Sequence, residues 1–426
     1  MHNQTIQQSK HGESIKPGEA RASGYHKVNT KGLKIAFVSP YPPSKGTLNE
    51  YAFHFIEQLK LKEQVEEIIV LTDKLPEGAT YPEVEELKAK VSIHPIWNFN
   101  DLSNSKNIRN FLKQEKPDLI FYNIQFLSFG DKKLAASMGL LSPLLSKWQG
   151  VPSVVMLHNI IETVDYASAG ITNNPILKGI YNLSGTILTR MILSANLVTV
   201  TIPKYVKILE KKYGVDNVAL VPHGSFELPP MPDFEKEEDQ LRVMTFGKFG
   251  TYKKVEEMIE AVDLVRQRTG KKIEIVIAGT DNPNVKGYLQ DVKMHYRHIP
   301  DITFTGYIEE EDVPRIFNES TVVVFPYTST TGSSGVLHQA GSYGKAVVLP
   351  NIGDLKELIE EEGYAGAFFQ PGDKEGLADA IEELITNKQH RVELAKKNYA
   401  AAASLPMQDI MEWYLYHFNH LVSGLK

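Results

Sequence analysis

The chain has 426 residues, which is more than one ordinary hydrophobic core accommodates, so two domains are expected. Its apolar fraction of 42% is typical of a soluble globular protein, and its net charge of −6 argues against broad nucleic-acid binding. The absence of cysteine excludes disulfides and cysteine-ligated metals and favours a reducing compartment such as the cytoplasm.

The first segment, residues 1–32, is polar and has no apolar stretch of the kind found in signal peptides. We therefore expect a disordered leader there. No apolar run in the sequence approaches the roughly 20 residues that a membrane-spanning helix needs. These features predict a cytoplasmic protein.

After the leader, short runs rich in Val, Ile and Leu alternate with helical stretches. The runs of the first half are KIAFVS (34–39), EIIVLT (67–72), DLIFYN (118–123), SVVMLH (153–158), LVTVT (197–201) and VALVP (218–222). Continuous apolar runs that are spaced by helices predict a parallel sheet with helices on both faces. The first domain is predicted to span residues 33–228.

The stretch FELPPMPDFEKEEDQ (226–240) is rich in proline and acid and lacks periodicity, so we place a linker at 229–240. The alternating pattern then restarts and predicts a second domain over 241–405. Its runs are LRVMTFG (241–247), KIEIVIAG (272–279), ITFTG (302–306), TVVVFP (321–326) and KAVVLP (345–350). The fold class is therefore α/β, with two Rossmann-like doubly wound domains.

The final segment, 406–426, has Ile410, Trp413, Tyr414 and Phe418 at helical spacing. It predicts a last helix whose aromatic face covers another part of the protein. Ligands of open α/β sheets bind outside the carboxyl ends of the strands. The predicted binding site is therefore the cleft between the two domains.

The stretch FGKFGTYKK (246–254) brings two lysines, Lys248 and Lys253, close to Gly247 and to the start of a helix. Cations at a helix N-terminus oppose the helix dipole, so a shared anion such as a diphosphate would offset the mismatch. The alternative is a pair of solvated surface lysines.

His158 is predicted to lie at the carboxyl end of a buried strand, where it could donate a hydrogen bond or a proton. A satisfied core histidine is the alternative. Gly46, in the proline-rich loop after the first strand, could present backbone amides to a ligand or could form a purely structural turn. Gly279 and Gly306 end strands and, taken singly, are typical of strand-to-helix turns.

The stretch TSTTGSSGVLHQAGSYGKAVV (328–348) has small hydroxyl and glycine residues before a short helix and an apolar strand. Such a sequence predicts an anion bound by exposed backbone amides. The sequence contains no HExxH or other metal-ligand spacing and no nucleophile–base pair of the protease type. We predict neither a metal nor a cofactor.

In this order, the segments resemble the retaining glycosyltransferases of family 4, which have the GT-B fold. The resemblance covers residues 33–425. It rests on SPYPPSKG, LHN, VPHG, FGKFGTYKK, VIAGT, FTGYIEEEDVPRIF, TTGSSGVLHQAGSYGKAVV and IGDLKELI. The family pattern has two glutamates, eight positions apart, where this chain has Thr331 and Gln339. Hydrogen bonds from such neutral groups are roughly half as strong as those of charged ones.

The resemblance implies that the C-terminal domain binds a UDP- or GDP-linked sugar and that the N-terminal domain holds a polysaccharide, glycolipid or oligosaccharide acceptor. It implies transfer of a hexose with retention at the anomeric carbon and without an obligatory metal. His158, Lys248 and Lys253 would be the catalytic residues, and the final helix, 406–426, would pack back on the N-terminal domain. The donor would be bound by Gly46, Gly247, Gly306, Tyr307, Thr331, Gly332, Ser333, Ser334, Gly335, Val336 and Gln339.

Two other functions are compatible with the same segments. One is a catalytically weak or inactive GT-B homologue that acts as a nucleotide-sugar-binding or scaffold subunit. The other is a different GT-B enzyme, such as a sugar-nucleotide epimerase. A peripheral membrane contact is also conceivable, because SMGLLSPLLSKW (137–148) is apolar and ends in Lys147 and Trp148, although a buried packing helix is the alternative.

Overall fold

The computed structural model of the chain describes residues 32–84, 86–163, 174–237, 239–282, 285–329 and 333–424. The predicted leader lies outside the described residues, except for residue 32. In the parts of the chain that the structure describes, no helix combines the length and apolarity needed to cross a membrane.

The first half of the chain forms a seven-stranded parallel sheet. Its strand order is β3-β2-β1-β4-β5-β6-β7. The strands are β1 (Leu33–Val38), β2 (Val65–Asp73), β3 (Lys90–Trp97), β4 (Leu119–Ile124), β5 (Ser153–Leu157), β6 (Leu197–Val200) and β7 (Val218–Leu220). The helices are α1 (Asn49–Leu59), α2 (Asn104–Glu115), α3 (Lys133–Leu140), α4 (Ser142–Trp148), α5 (Pro175–Ile192) and α6 (Pro203–Tyr213).

The second half forms a six-stranded parallel sheet with the order β10-β9-β8-β11-β12-β13. The strands are β8 (Leu241–Phe249), β9 (Ile273–Asp281), β10 (Ile302–Gly306), β11 (Val322–Val324), β12 (Ala346–Pro350) and β13 (Ala367–Phe369). The helices are α7 (Glu256–Thr269), α8 (Tyr288–His295), α9 (Val313–Asn318), α10 (Gly335–Ser342), α11 (Gly353–Glu362), α12 (Lys374–Thr386) and α13 (Lys388–Ser404). The prediction of two Rossmann-like domains is confirmed.

Two strands were not predicted from the sequence, and both lie at sheet edges. Strand β3 contains Pro95 and several half-exposed residues, so it lacks the continuous apolar run of a central strand. Strand β13 has only three residues. Edge strands bury less surface than central strands, which removes the signal on which the prediction depended.

The last helix, α14 (Met407–Ser423), returns to the N-terminal sheet. The buried ring of Tyr414 lies 5.3 Å from the ring of Phe55 and 5.1 Å from that of Phe121. Its hydroxyl is 2.8 Å from the Thr199 hydroxyl oxygen, so a polar group inside this core is satisfied. The final helix therefore completes the core of the first half of the chain, as predicted.

The chain passes between the two halves twice, and the two passages lie side by side. The backbone amide of Ser225 donates to the Leu405 carbonyl over 2.8 Å, and the amide of Met407 donates to the Ser225 carbonyl over 2.9 Å. The outgoing and returning connections thus form a short parallel bridge between Ser225 and Pro406.

Candidate active site

The candidate site lies where the carboxyl ends of the two sheets face each other. The loop after β1 reaches the second sheet directly, because the Lys248 ammonium donates a hydrogen bond to the Lys45 carbonyl over 3.0 Å. Helix α1, which follows this loop, contacts α10 through Glu50 and Gln339. The cleft predicted from the strand pattern is therefore lined by residues of both domains.

Two glycines let the backbone and a lysine approach closely at the ends of β8 and β9. A Cβ atom at Gly279 would lie 1.9 Å from the Gly247 carbonyl oxygen, so no side chain fits there. Gly247 has a φ of +136°, and a Cβ atom on it would lie 2.7 Å from the Lys253 ammonium nitrogen. Gly279 thus makes room for the backbone of β8, and Gly247 makes room for the lysine.

Lys248 and Lys253 bring positive charge to the cleft. Neither ammonium group forms an ion pair with any described residue. Burial lowers the pKa of Lys248, the Glu50 carboxylate opposes that effect, and the charges of Lys253 and Lys45 lower the pKa further. Lys253 lies 4.8 Å above the Tyr327 ring, which orients it. This arrangement is suited to an anion that both lysines share.

Helix α10 begins at Gly335, and its N-cap residue Ser334 contacts Tyr327, the ring over which Lys253 lies. Ser334 is its N-cap residue, but no side chain caps the helix, so amides of the first turn remain available to an anion. The Ser333 hydroxyl lies 2.9 Å from the His338 Nε2 atom and ties the preceding loop to the helix. Val336 is half-buried in the first turn. The predicted residues Thr331 and Gly332 lie outside the described residues.

His158 follows β5 at the base of the cleft and is half-buried. Its Nε2 atom lies 2.6 Å from the Asn123 side-chain oxygen. Because the Asn123 amide nitrogen donates to the Ser39 hydroxyl over 2.9 Å, the Asn123 oxygen is an acceptor and His158 carries its proton on Nε2. Burial, with a smaller contribution from His223, lowers the pKa of His158 to about 3. The neutral ring therefore offers Nδ1 as an acceptor at neutral pH, not a proton.

A row of rings continues from His158 into the second domain. The Tyr51 ring lies 4.9 Å from the rings of both His158 and His223. His223 in turn stacks on His338 of α10 with ring centres 4.8 Å apart. Burial lowers the pKa of His223 to about 4 and lowers that of His338 well below its usual range. Neutral stacked histidines join the two domains beside the start of α10.

A carboxylate from the first domain reaches α10 at the position where sequence analysis found an amide. Gln339 is only 7% exposed, and its side-chain nitrogen donates to the Glu50 Oε1 atom over 2.6 Å. Burial raises the pKa of Glu50, and Glu310 raises it further, while His54, Gln339 and Lys248 lower it. The Glu50 carboxylate is thus bound by the amide of Gln339 on α10 and feels the charge of Lys248.

Three side chains beside this contact could hold a metal ion. The ligand atoms of Glu50, His54 and Glu310 lie within 4.8 Å of one another, and the His54 Nε2 atom is 3.1 Å from a Glu310 oxygen. Imidazole and carboxylate ligands suit first-row divalent cations. Sequence analysis missed this group, although Glu50 and His54 are four residues apart and so share a face of α1.

Of the remaining predicted residues, Gly306 and Tyr307 belong to the second domain and Gly46 to the first. Gly306 ends β10 with a φ of +73°, and the half-exposed Tyr307 follows it. The Lys45 ammonium is 4.7 Å above the Tyr307 ring, so Tyr307 also contacts the loop of the first domain. The Gly46 amide donates to the Ser44 hydroxyl over 3.2 Å, so it is used within its own loop.

Parts of the chain are similar in sequence to glycosyltransferases. Residues 240–387 match a family described as "Glycosyl transferases group 1". An uncharacterized glycosyltransferase of Methanocaldococcus jannaschii is 24% identical over 168 residues, which is 38% of this chain and 41% of that protein. The O-antigen chain mannosyltransferase C of Escherichia coli is 23% identical over 215 residues, 47% of this chain and 54% of that protein. The chain thus spans about half, or less, of the length of these curated relatives.

Solved structures match over nearly the whole chain. Sucrose-phosphate synthase from Thermosynechococcus elongatus has a TM-score of 0.69 at 16% identity, covering 92% of this chain and 100% of that one. An Anabaena protein crystallised with UDP-glucose has a TM-score of 0.62 at 14% identity, covering 92% of this chain and 100% of that one. The two sheets, the cleft and the returning helix are those of the GT-B fold.

Proposed function

We propose that this chain is a retaining hexosyltransferase, similar to family 4, that transfers a hexose from a UDP- or GDP-linked donor to an acceptor hydroxyl. The observation that carries the proposal is the pair Lys248 and Lys253 near the uncapped first turn of α10, to which Lys253 is connected through the Tyr327 ring and the Ser334 side chain. Two ammonium groups without carboxylate partners, next to free helix amides, form a site for a diphosphate leaving group. The group 1 glycosyltransferase match covers this half of the chain.

In the proposed reaction, the bond between the anomeric carbon and the diphosphate oxygen breaks as the acceptor oxygen bonds to the same face of that carbon. The acceptor proton passes to the departing phosphate oxygen. The two lysines and the α10 amides stabilise the charge that develops on the diphosphate. His158 accepts a hydrogen bond from a sugar hydroxyl through its free Nδ1 atom and helps to position the hexose.

Glu50 has a further role in this proposal. The amide of Gln339 holds its Oε1 atom, and its other oxygen has no hydrogen-bond partner among the described residues. We propose that this oxygen accepts hydrogen bonds from hydroxyls of the donor. The carboxylate that α10 lacks is then supplied from the other domain, and donor binding depends on both halves of the protein.

The acceptor is proposed to be a carbohydrate or a glycolipid, bound by the N-terminal domain. The E. coli relative is named as an O-antigen chain mannosyltransferase, and this name supports an acceptor of the polysaccharide type. Reaction without an obligatory metal is also part of the proposal.

The test is a donor screen with the full chain. UDP, GDP and their glucose, mannose and N-acetylglucosamine derivatives are assayed for thermal stabilisation and for sugar release or transfer. We expect one nucleotide series to stabilise the wild type and the variant Lys248→Ala/Lys253→Ala to lose that response. The control is Lys271→Ala/Lys272→Ala, which removes two exposed lysines from the same domain.

The outcomes separate the possible functions. Nucleotide binding without turnover on any acceptor would favour the inactive binding or scaffold subunit. Conversion of the donor to its epimer without an acceptor would favour an epimerase. A wild type that none of the nucleotides stabilises, and that turns none of them over, would overturn the proposed donor site.

A further inference from the structure

Two acids and a histidine converge where helix α1 meets the second domain, and the proposed function uses only one of them. Glu50 and His54 share a face of α1, whereas Glu310 follows β10 in the second domain. Each side chain offers one ligand atom, and these atoms lie within 4.8 Å of one another. The group therefore spans the cleft, with two ligands from the first domain and one from the second.

The His54 ring is held with its Nε2 atom directed across the cleft. Its side chain is only 6% exposed, and Nε2 lies 3.1 Å from the Glu310 Oε1 atom. The ring stacks on that of Phe226, with centres 4.3 Å apart and an angle of 11° between the planes. The Phe53 ring packs against it edge-on at 5.2 Å. Because packing already fixes this imidazole, it is preorganised as a ligand.

The two carboxylates of the group repel each other. Burial raises the pKa of Glu50 and Glu310 raises it further, and the effects of His54, Gln339 and Lys248 do not cancel this rise. Within the part of the chain that the structure describes, His54 is the one hydrogen-bond or ion-pair partner of the Glu310 carboxylate, and it is charged only when protonated. A divalent cation would neutralise both carboxylates and remove the repulsion.

A small cavity beside the three side chains leaves room for the rest of a coordination shell. Its lining includes His54, Glu310, Gln339, Ser342 and Tyr343. Donor atoms lie about 2.0–2.2 Å from a first-row cation, so they are at most about 4.4 Å apart. A bound ion would draw the three side chains slightly closer together, and water in the cavity would complete its shell.

We propose that Glu50, His54 and Glu310 bind one first-row divalent cation, with Zn²⁺ as the best match, and that this cation joins the two domains across the cleft. Two carboxylates with one imidazole suit such a cation better than Mg²⁺ or Ca²⁺, which prefer oxygen ligands alone. The cation takes no part in the proposed sugar transfer, and its site does not depend on that reaction.

The bound cation has a consequence for the donor site. It would use the Glu50 oxygen that Gln339 leaves free, which the proposed function assigns to hydroxyls of the donor. Cation and donor would then exclude each other, and the metal-bound protein would be an inactive form with its domains joined. This part of the inference rests on the proposed function, whereas the cation site itself does not.

The test is titration of Zn²⁺, Mn²⁺ and Mg²⁺ into the untagged full chain without nucleotide, followed by calorimetry and by thermal unfolding. The site variants are His54→Gln in the first domain and Glu310→Gln in the second. The matched controls are His390→Gln and Glu311→Gln. His390 pairs with Glu383 within the second domain over 2.7 Å, and Glu311 is an exposed neighbour of Glu310. Circular dichroism shows whether each variant is folded, and Glu310→Gln changes a side chain that is 48% exposed.

We expect Zn²⁺ to bind wild type and both controls at one strong site and to raise their melting temperature. Each site variant should bind Zn²⁺ at least about tenfold more weakly, and Mg²⁺ should bind wild type more weakly than Zn²⁺ does. The cation site is overturned if wild type binds Zn²⁺ no more tightly than the site variants. If only His54→Gln weakens binding, the link between the domains is overturned.

A last titration tests the exclusion of the donor. With the donor found in the screen, Zn²⁺ should raise the apparent Kd of the donor for wild type but not for Glu310→Gln. An unchanged donor affinity at saturating Zn²⁺ would overturn the exclusion. If the screen finds no donor, the proposed function fails on that result, and the titrations without nucleotide still decide the cation site.

Discussion

Replacing Glu50 by glutamine tests the proposal that donor binding uses a carboxylate from the other domain. The substitution keeps a hydrogen bond to Gln339, because one amide can donate to another, and it removes only the charge. A hydrogen bond to a charged group contributes about 1 to 1.5 kcal/mol more than a neutral one. We therefore expect Glu50→Gln to lower kcat/KM by about tenfold.

The assay is initial-rate transfer with the donor found in the screen, together with calorimetric binding of the nucleotide and the nucleotide sugar. Loss of affinity for both ligands would assign Glu50 to ribose hydroxyls, and loss for the sugar nucleotide alone would assign it to the hexose. Glu63→Gln is the control, because Glu63 is an exposed residue of the same domain with an 82% exposed side chain.

A second variant distinguishes the effect of the negative charge from the effect of the hydrogen bond between residues 50 and 339. In Glu50→Gln/Gln339→Glu the carboxylate and the amide change places, and the hydrogen bond between them is preserved. We expect this exchange to recover most of the lost activity. If Glu50→Gln alone stays within twofold of wild type while Glu50→Ala is inactive, the contact serves only to hold the domains together and the donor role is refuted.

Three other predictions follow from the geometry of the cleft. Gly279→Ala should lower the free energy of unfolding by about 3 kcal/mol or more in urea titrations, because its Cβ would lie 1.9 Å from a carbonyl oxygen. Gly214→Ala, with open space around the new Cβ, should lower the free energy of unfolding by about 1 kcal/mol. Equal losses for the two variants would contradict the packing argument. Because His158, His223 and His338 have lowered pKa values, the unfolded chain binds more protons than the folded chain below pH 6.5, and the free energy of unfolding should fall from there towards pH 4. The Glu362 carboxyl, whose pKa burial raises to about 8, opposes this fall only in part. His223→Gln should make the fall of stability with pH shallower, and an unchanged pH dependence would count against a buried neutral ring at this position. Sugar transfer should continue in the presence of EDTA. If EDTA abolishes activity, and Mn²⁺ restores it in wild type but not in His54→Ala, then Glu50, His54 and Glu310 form a metal site that the reaction requires.

The sequence predicted the central strands well because strands buried on both faces are continuous apolar runs. The runs at β4 and β12 are entirely buried in the structure. The edge strand β3 could not be recognised in this way, since half-exposed residues and Pro95 interrupt its pattern. Periodicity reports burial, so it fails where a strand is only partly covered.

For the site, local spacing predicted which residues lie near one another along the chain but not across the cleft. Gly247 and Lys253, which approach each other closely in the structure, lie within seven residues of sequence. The contact between Glu50 and Gln339 joins residues 289 positions apart, and the stack of His223 on His338 joins the two domains. Such pairs depend on how the two sheets face each other, which no local pattern encodes.

The paired connections at Ser225 and Pro406 determine how the cleft can open. Because the two strands are hydrogen-bonded to each other, they bend together as one hinge and not as two independent tethers. Helix α14 remains fixed to the first domain by Tyr414, so the rotation has a single axis just before that helix. Opening about this axis would separate Glu50 from Gln339 and Lys45 from Lys248 in the same movement. Opening of the cleft and release of a ligand held between the two domains would then occur in one movement.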